Sequence, residues 1–279
     1  MTQPAPDTRS HQHEIEINAL PDVVWKAITE ADEITRWFAE EARVSPGEGG
    51  SCWVSWGEGQ EGTSRIEVWE PGKRFRLVNL PPEGDPGPAS EADPVQQAPI
   101  VVDYTLESRG DRTLLRLVQS NIPNSPDWDG FYDGTNHGWD MFFRGLRHYI
   151  EKHWGKQRRN IMVMQPIQAT REEGWEMLTG AEGLAADGSL ANLREGQRYS
   201  VTTAWGDHLE GEVLISKPGR IIVITIEPLD NALLSASVEE VNGQTSFYLT
   251  LSGFGWEIEK VESLRGQWTT SLKQLYSIY

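Results

Sequence analysis

The hydrophobic pattern of this chain runs through the same series of periods twice. From His13 the run His-Glu-Ile-Glu-Ile-Asn alternates with period two and predicts a strand. Pro21-Asp22 then opens a helix, since proline is tolerated in a first turn where its missing N–H costs nothing. Val24, Trp25 and Ile28, followed by Ile34, Trp37 and Phe38, recur at helical spacing and predict two short helices. Gly47, Gly49 and Gly50 introduce strands near 51–57, 63–69, 73–79, 100–107 and 112–120, with tight turns at Pro71-Gly72 and Gly110-Asp111. Such consecutive strands imply an antiparallel meander. A helix over about 135–153 closes the half. It places Trp139, Phe142, Phe143, Leu146, Ile150 and Trp154 on one face, with Asp140, Arg144, Arg147 and Glu151 largely opposite.

The second half repeats that order: a strand at 160–167, a helix at 170–179, strands near 197–205, 208–216, 219–227, 232–240 and 244–252, and a helix over about 256–277. In this last helix Val261, Leu264, Trp268, Leu272, Leu275 and Tyr279 form one apolar stripe. Individual residues recur too. Trp25-Lys26-Ala27-Ile28-Thr29 returns as Trp175-Glu176-Met177-Leu178-Thr179, Glu70-Pro71-Gly72-Lys73-Arg74 as Lys217-Pro218-Gly219-Arg220, and Gly138-Trp139 as Gly266-Gln267-Trp268. The pattern therefore predicts a duplicated α+β unit: a frayed, disordered N-terminus at 1–11, a first domain at 12–155, a short basic linker, and a diverged second domain at 160–279. Two differences separate the halves. The first inserts residues 80–99, with six prolines, where the second has only 228–232, and the second replaces the Trp37-Phe38 neighbourhood with the small-residue stretch 180–188. Both favour the first half as the holder of a site.

Composition narrows the function classes. The net charge of −17 divides as about −12 up to Gly155 and −5 beyond it. Phosphate-backbone binding needs clustered cations, so nucleic acid is excluded as a partner. Adsorption to anionic lipid is disfavoured for the same reason. No apolar run approaches the length that spans a bilayer. One cysteine, Cys52, excludes an intrachain disulfide framework and a multi-cysteine metal site, and a cytoplasmic location is the expectation. There are 12 tryptophans; rings of that size serve cores, cavity linings and interfaces.

The short motifs, taken together, resemble a known family. Val24-Trp25-Lys26-Ala27-Ile28-Thr29, Trp37-Phe38, Gly49-Gly50 before a strand, Glu70-Pro71-Gly72-Lys73-Arg74-Phe75, Thr113-Leu114-Leu115-Arg116-Leu117 and Gly138-Trp139 are similar to the heat-shock-protein-90 ATPase activator homologue-like family, within the START/birch-pollen-allergen-like (SRPBCC) superfamily. The resemblance covers residues 12–155, and the second half matches more faintly. It implies two tandem helix-grip domains, each a curved antiparallel sheet around a long C-terminal helix, often enclosing an apolar cavity that carries lipids, hormones or polyketides. The eukaryotic activator engages the chaperone through a separate N-terminal domain that nothing here resembles.

Alternation along the strands selects an inner wall. Pointing Cys52, Val54, Trp56, Ile66, Val68, Phe75, Leu77, Val102, Tyr104, Leu106, Leu115, Leu117 and Gln119 inward keeps Arg65, Arg76, Asp103 and Arg116 out of the core, where unpaired charge is costly. With Trp37 and Phe38 from the helices, and Trp139 and Phe143 from the last one, this wall is apolar with a few polar atoms, the usual make-up of a small-molecule pocket. The predicted ligand-binding residues are Trp37, Phe38, Val54, Trp56, Ile66, Phe75, Leu77, Val102, Tyr104, Leu117, Gln119, Trp139 and Phe143.

Nothing in the sequence names a catalytic residue, a metal site or a cofactor. His137 reads as a capping or surface histidine, and Cys52 as an inert buried thiol. His11 and His13 fall in the frayed terminus without a third ligand. No nucleophile elbow, phosphate-cradling loop or metalloprotease motif is present. The leading expectation is a non-enzymatic protein whose partner is a small hydrophobic molecule. Its alternatives are a protein-interaction or chaperone-associated module with solid interiors, and a cyclase- or hydrolase-like enzyme using Tyr104, His137 or Asp103. The proline-rich 80–99 reads as a disordered connection, and 122–133, with Trp128, Phe131 and Tyr132, as a segment at the cavity mouth.

Overall fold

In each half of the chain the first strand returns to pair with the last, and the closing helix then crosses the sheet so formed. The computed structural model describes residues 7–57, 59–79, 99–181, 183–241 and 244–276. Two compact units meet in sequence between Gly155 and Lys156. The first contains β1 (Thr8–Ile17), α1 (Pro21–Thr29), α2 (Ala31–Ile34), β2 (Glu41–Ser45), β3 (Ser51–Ser55), β4 (Glu61–Glu70), β5 (Arg74–Asn79), β6 (Val101–Arg109), β7 (Arg112–Pro123) and α3 (Asp129–His153). Its sheet has the order β1-β7-β6-β5-β4-β3-β2, antiparallel throughout. The second contains β8 (Arg158–Ile167), α4 (Arg171–Thr179), β9 (Arg198–Thr202), β10 (His208–Lys217), β11 (Ile221–Ile226), β12 (Ala232–Val241), β13 (Gln244–Phe254) and α5 (Ile258–Tyr276). Its order, β8-β13-β12-β11-β10-β9, is the same one shortened by a strand. These are two tandem helix-grip domains of the α+β class.

Local chemistry repeats with the topology. Thr29 Oγ1 donates to the Trp25 carbonyl at 2.7 Å and Thr179 Oγ1 to the Trp175 carbonyl at 2.8 Å, closing α1 and α4 alike. Gly72 (φ 69°) and Gly219 (φ 77°) take the left-handed turn conformation that lets the next strand reverse, where a Cβ would be strained. At its start α4 adds a full capping box between Thr170 and Glu173.

Four expectations are corrected. Strand β1 begins at Thr8, so residues 8–11 belong to the sheet rather than to a frayed terminus; Arg9, His11 and His13 are held there by α3. Strand β2 was not foreseen, because this edge strand turns only Ala42 and Val44 inward. Val68 faces outward. Ile66 pairs with Leu77 but Val68 with Arg76, so a bulge at Glu67 reverses the alternation and sends Trp69 inward against Trp25 and Phe75. Helix α3 starts at Asp129, taking up much of the segment expected at the mouth, whose Trp128 packs instead on Ile100 and Ile122. Trp154 follows the end of α3 and is 41% exposed. Residues 80–98 and Tyr279 lie outside the described residues.

The second unit has a buried core of its own. Ile161, Val163, Leu209, Val213, Ile222, Ile224, Leu234, Val238, Phe247 and Leu249 are buried beneath Trp268 and Leu272 of α5, with Leu184, Leu190 and Leu193 covering the end of the sheet. Among the described residues no helix is long and apolar enough to cross a membrane.

Candidate functional site

The inner wall of the first unit is a continuous set of rings. Pairing sets Leu117 beside Tyr104 and Tyr104 beside Phe75, and in the next tier Gln119 beside Val102 and Val102 beside Leu77. Ile66 continues the second tier from β4. Above them α3 lays Trp139, Phe142 and Phe143. The hub is Phe38, in the turn after α2. Its ring lies 5.1 Å from Trp37, 4.9 Å from Trp56, 4.6 Å from Phe142 and 5.6 Å from Trp139, the last nearly parallel at 9°. Trp139 also meets Tyr104 at 6.1 Å and Phe143 at 6.2 Å, and Tyr104 stacks on Phe75 at 6.0 Å.

The indole N–H groups of this wall are satisfied locally. Trp37 Nε1 donates to the Ala27 carbonyl (2.8 Å), Trp56 Nε1 to the Phe38 carbonyl (2.9 Å) and Trp139 Nε1 to Gln119 Oε1 (2.8 Å). Each bond fixes a ring plane, so the faces and edges remain for apolar contact. Burial raises the Tyr104 hydroxyl far above its usual pKa and pushes the Cys52 thiol up to about 11, so both stay protonated at neutral pH.

Exposure divides the thirteen predicted residues. Ile66, Phe75, Val102, Tyr104, Leu117, Gln119, Trp37, Trp139 and Phe143 are buried. Phe38, Val54 and Leu77 are half-buried, as is Phe142, and Trp56 is 38% exposed. The exposed apolar members gather where β3, β5, the turn after α2 and the middle of α3 meet. These side chains keep part of their surface exposed, whereas the other nine are buried.

The enzymatic alternative finds no convergence. Asp103 and Tyr104 are consecutive on β6 and point to opposite faces. The Asp103 carboxylate binds Arg74 at 3.0 and 2.7 Å and Arg76 at 3.1 Å on the outer face. Although burial alone would raise it, these two guanidiniums hold its pKa below the usual carboxylate value. His137 is spent on its own helix, Nδ1 meeting the Asp133 carbonyl at 2.7 Å. Two open depressions on the outer face are lined by charge, one where Arg43 stacks on Trp53, the other around Arg65, Arg74 and Arg76, each engaged by Glu67 or Asp103. Among the described residues no three His, Cys, Asp or Glu side chains gather as a metal site.

Residues 18–151 match the family model described as Activator of Hsp90 ATPase homolog 1-like protein. The match falls within the first unit, which is similar to that family. No curated protein matches the chain. Among solved structures, a Mesorhizobium loti protein is 24% identical, with a TM-score of 0.43, over 51% of this chain and 97% of its own. The Aha1 dimer of Colwellia psychrerythraea is 20% identical, TM-score 0.42, over 51% and 96%. The di-domain ARO/CYC BexL, from the BE-7585A biosynthetic pathway, is 15% identical, TM-score 0.43, over 96% of both chains. The fold itself rests on the sheets and helices described above.

Two ring residues were left out of the predicted ligand-binding set. Phe142 touches both Phe38 and Trp139, and its place three residues after Trp139 on the apolar face was the available signal. Trp69 enters the core only through the bulge at Glu67, which no local motif announces.

Proposed function

We propose that the first unit binds a small apolar or aromatic molecule against the Phe38–Trp139 ring wall, without converting it, and that the second unit is a closed structural partner. The observation that supports this is the half-buried group Phe38, Val54, Trp56, Leu77 and Phe142. These apolar side chains stand on the inner side of the sheet yet keep exposed surface, and the one polar atom among them, Trp56 Nε1, is already paired. Apolar surface presented in this way, with orientation-setting polar atoms fixed behind it, is what small-molecule sites offer. A single cysteine kept as a buried thiol fits a reducing, cytoplasmic setting.

The test is a titration of the full chain with small aromatic probes, followed by tryptophan emission and thermal unfolding. Binding at a hundredfold excess over Kd stabilises by about 2.7 kcal/mol, a rise of about 5–10 °C for a domain of this size. Trp139→Ala should abolish the emission change. A flat response across chemically diverse probes would reject the reading in favour of an interaction module.

A further inference from the structure

Strand β1 turns a polar stripe toward α3 that the ring wall does not use. Arg9, His11 and His13 occupy alternate positions on the helix side of the strand. His11 is 7% exposed and the His13 side chain 9%. Each imidazole is held at one nitrogen only. Thr135 Oγ1 donates its one proton to the Phe131 or Tyr132 carbonyl (2.9 and 3.3 Å), so it accepts from His11 Nε2–H at 3.1 Å. His11 Nδ1 is thereby left as the lone-pair nitrogen. The Asp140 carboxylate accepts from His13 Nδ1–H at 3.1 Å, leaving the lone pair of the neutral ring on Nε2. His11 Nδ1 and His13 Nε2 are both shut off from solvent and have no hydrogen-bond partner among the described residues. The same holds for Nε and Nη2 of Arg9, whose Nη1 pairs with Asp129 at 2.7 Å while its guanidinium lies 4.4 Å over Tyr132.

Four unpartnered polar atoms on three alternate residues of one strand are an unusual concentration, since buried polar groups are almost always paired. Two are acceptors and two are donors. A metal cation would satisfy only the acceptors, would face the Arg9 guanidinium, and would lack a third protein ligand. A hydroxyl serves both kinds, because it donates one proton and accepts others. The stripe also continues the ring wall: His11 lies 5.2 Å from His13, His13 6.4 Å from Phe143, and Phe143 6.2 Å from Trp139.

We propose that Arg9, His11 and His13 form a polar subsite beside the ring wall, and that the ligand class is an aromatic molecule bearing a phenolic hydroxyl, which donates to an imidazole lone pair. This rests on the ligand-binding reading above. The hydroxyl sets the orientation, the rings supply the area, and Thr135 and Asp140 act as positioning residues by holding the two tautomers.

Calorimetric titration of the full chain with 2-naphthol and with naphthalene separates the two claims. The wild type should bind 2-naphthol at least about tenfold more tightly, the worth of one well-placed buried hydrogen bond. In His11→Leu and His13→Phe that preference should vanish. If either variant fails to fold, imidazole 15N shifts of the wild type decide: the His11 Nδ1 or His13 Nε2 resonance should move with 2-naphthol and stay still with naphthalene. Equal affinities with unmoved resonances would overturn the subsite and leave the ligand reading standing. If neither probe binds, both fall.

Discussion

At the scale of single residues, the first unit concentrates its consequences in a few buried polar atoms. Gln119 accepts the indole N–H of Trp139 in the closed part of the wall. Gln119→Leu would strand that donor, and the expected cost is about 1–3 kcal/mol, read from the urea midpoint. His11 carries a pH signature. Burial first, and then the neighbouring His13, lower its pKa to about 4 in the folded unit, whereas the unfolded chain takes the proton near pH 6.5. Between those values the unfolded state binds more protons, so this contribution to stability is complete above about pH 6.5 and is lost as the pH falls toward 4. The groups facing the ring are His13, Tyr132 and Thr135, with Asp140 and the Arg9–Asp129 pair beyond them. His11→Gln should therefore flatten the dependence of the urea midpoint across that window. Most of the ring wall was legible because alternation reports burial, and burying Arg76, Asp103 or Arg116 would have been prohibitive; the bulge that turns Val68 out and Trp69 in was not. The histidine stripe was not, because Thr-Arg-Ser-His has no apolar position to mark its inner face.

At the scale of elements, strands and helices with a strong apolar period were readable and those without one were not. Strand β2 offers two small inward side chains, too few to stand out. The first turns of α3 carry Gly130 and Gly134, whose helical cost of about 1 kcal/mol each made the segment read as a loop; packing of Phe131 and Tyr132 beside Trp128 overrides that preference. Two glycines of the second unit make opposite predictions. A Cβ at Gly253 would stand 2.0 Å from the Trp256 ring, so Gly253→Ala should destabilise by about 3 kcal/mol through overpacking. Gly266, on α5, meets nothing within 4 Å, and Gly266→Ala should stabilise by about 0.5–1 kcal/mol. Thermal unfolding of the two variants checks both signs.

At the scale of the whole molecule, duplication was the most legible feature, since a period shared by two halves needs no single strong motif. Its physical content is two compact units, each with its own buried core. Scanning calorimetry should resolve two transitions, and a bound aromatic probe should raise only one of them; a single transition moving as a whole would contradict separate cores. The sequence favoured the first half as the holder of a site; what it withheld was the half-burial of Phe38 and Trp56, which depends on packing rather than on their identity.

The pairing of β1 with β7 has a consequence for biosynthesis. The strand made first must wait about a hundred residues for the partner that hydrogen-bonds it, from Ile17 opposite Thr113 to Thr8 opposite Pro123. Helix α3, which holds its far side, emerges later still. On the ribosome the unit stays without its closing contacts until residue 153 has cleared the exit tunnel, so its assembly is expected to be late and slow rather than progressive. Arrest of translation just before α3 should yield nascent chains that remain protease-sensitive from β1 onward.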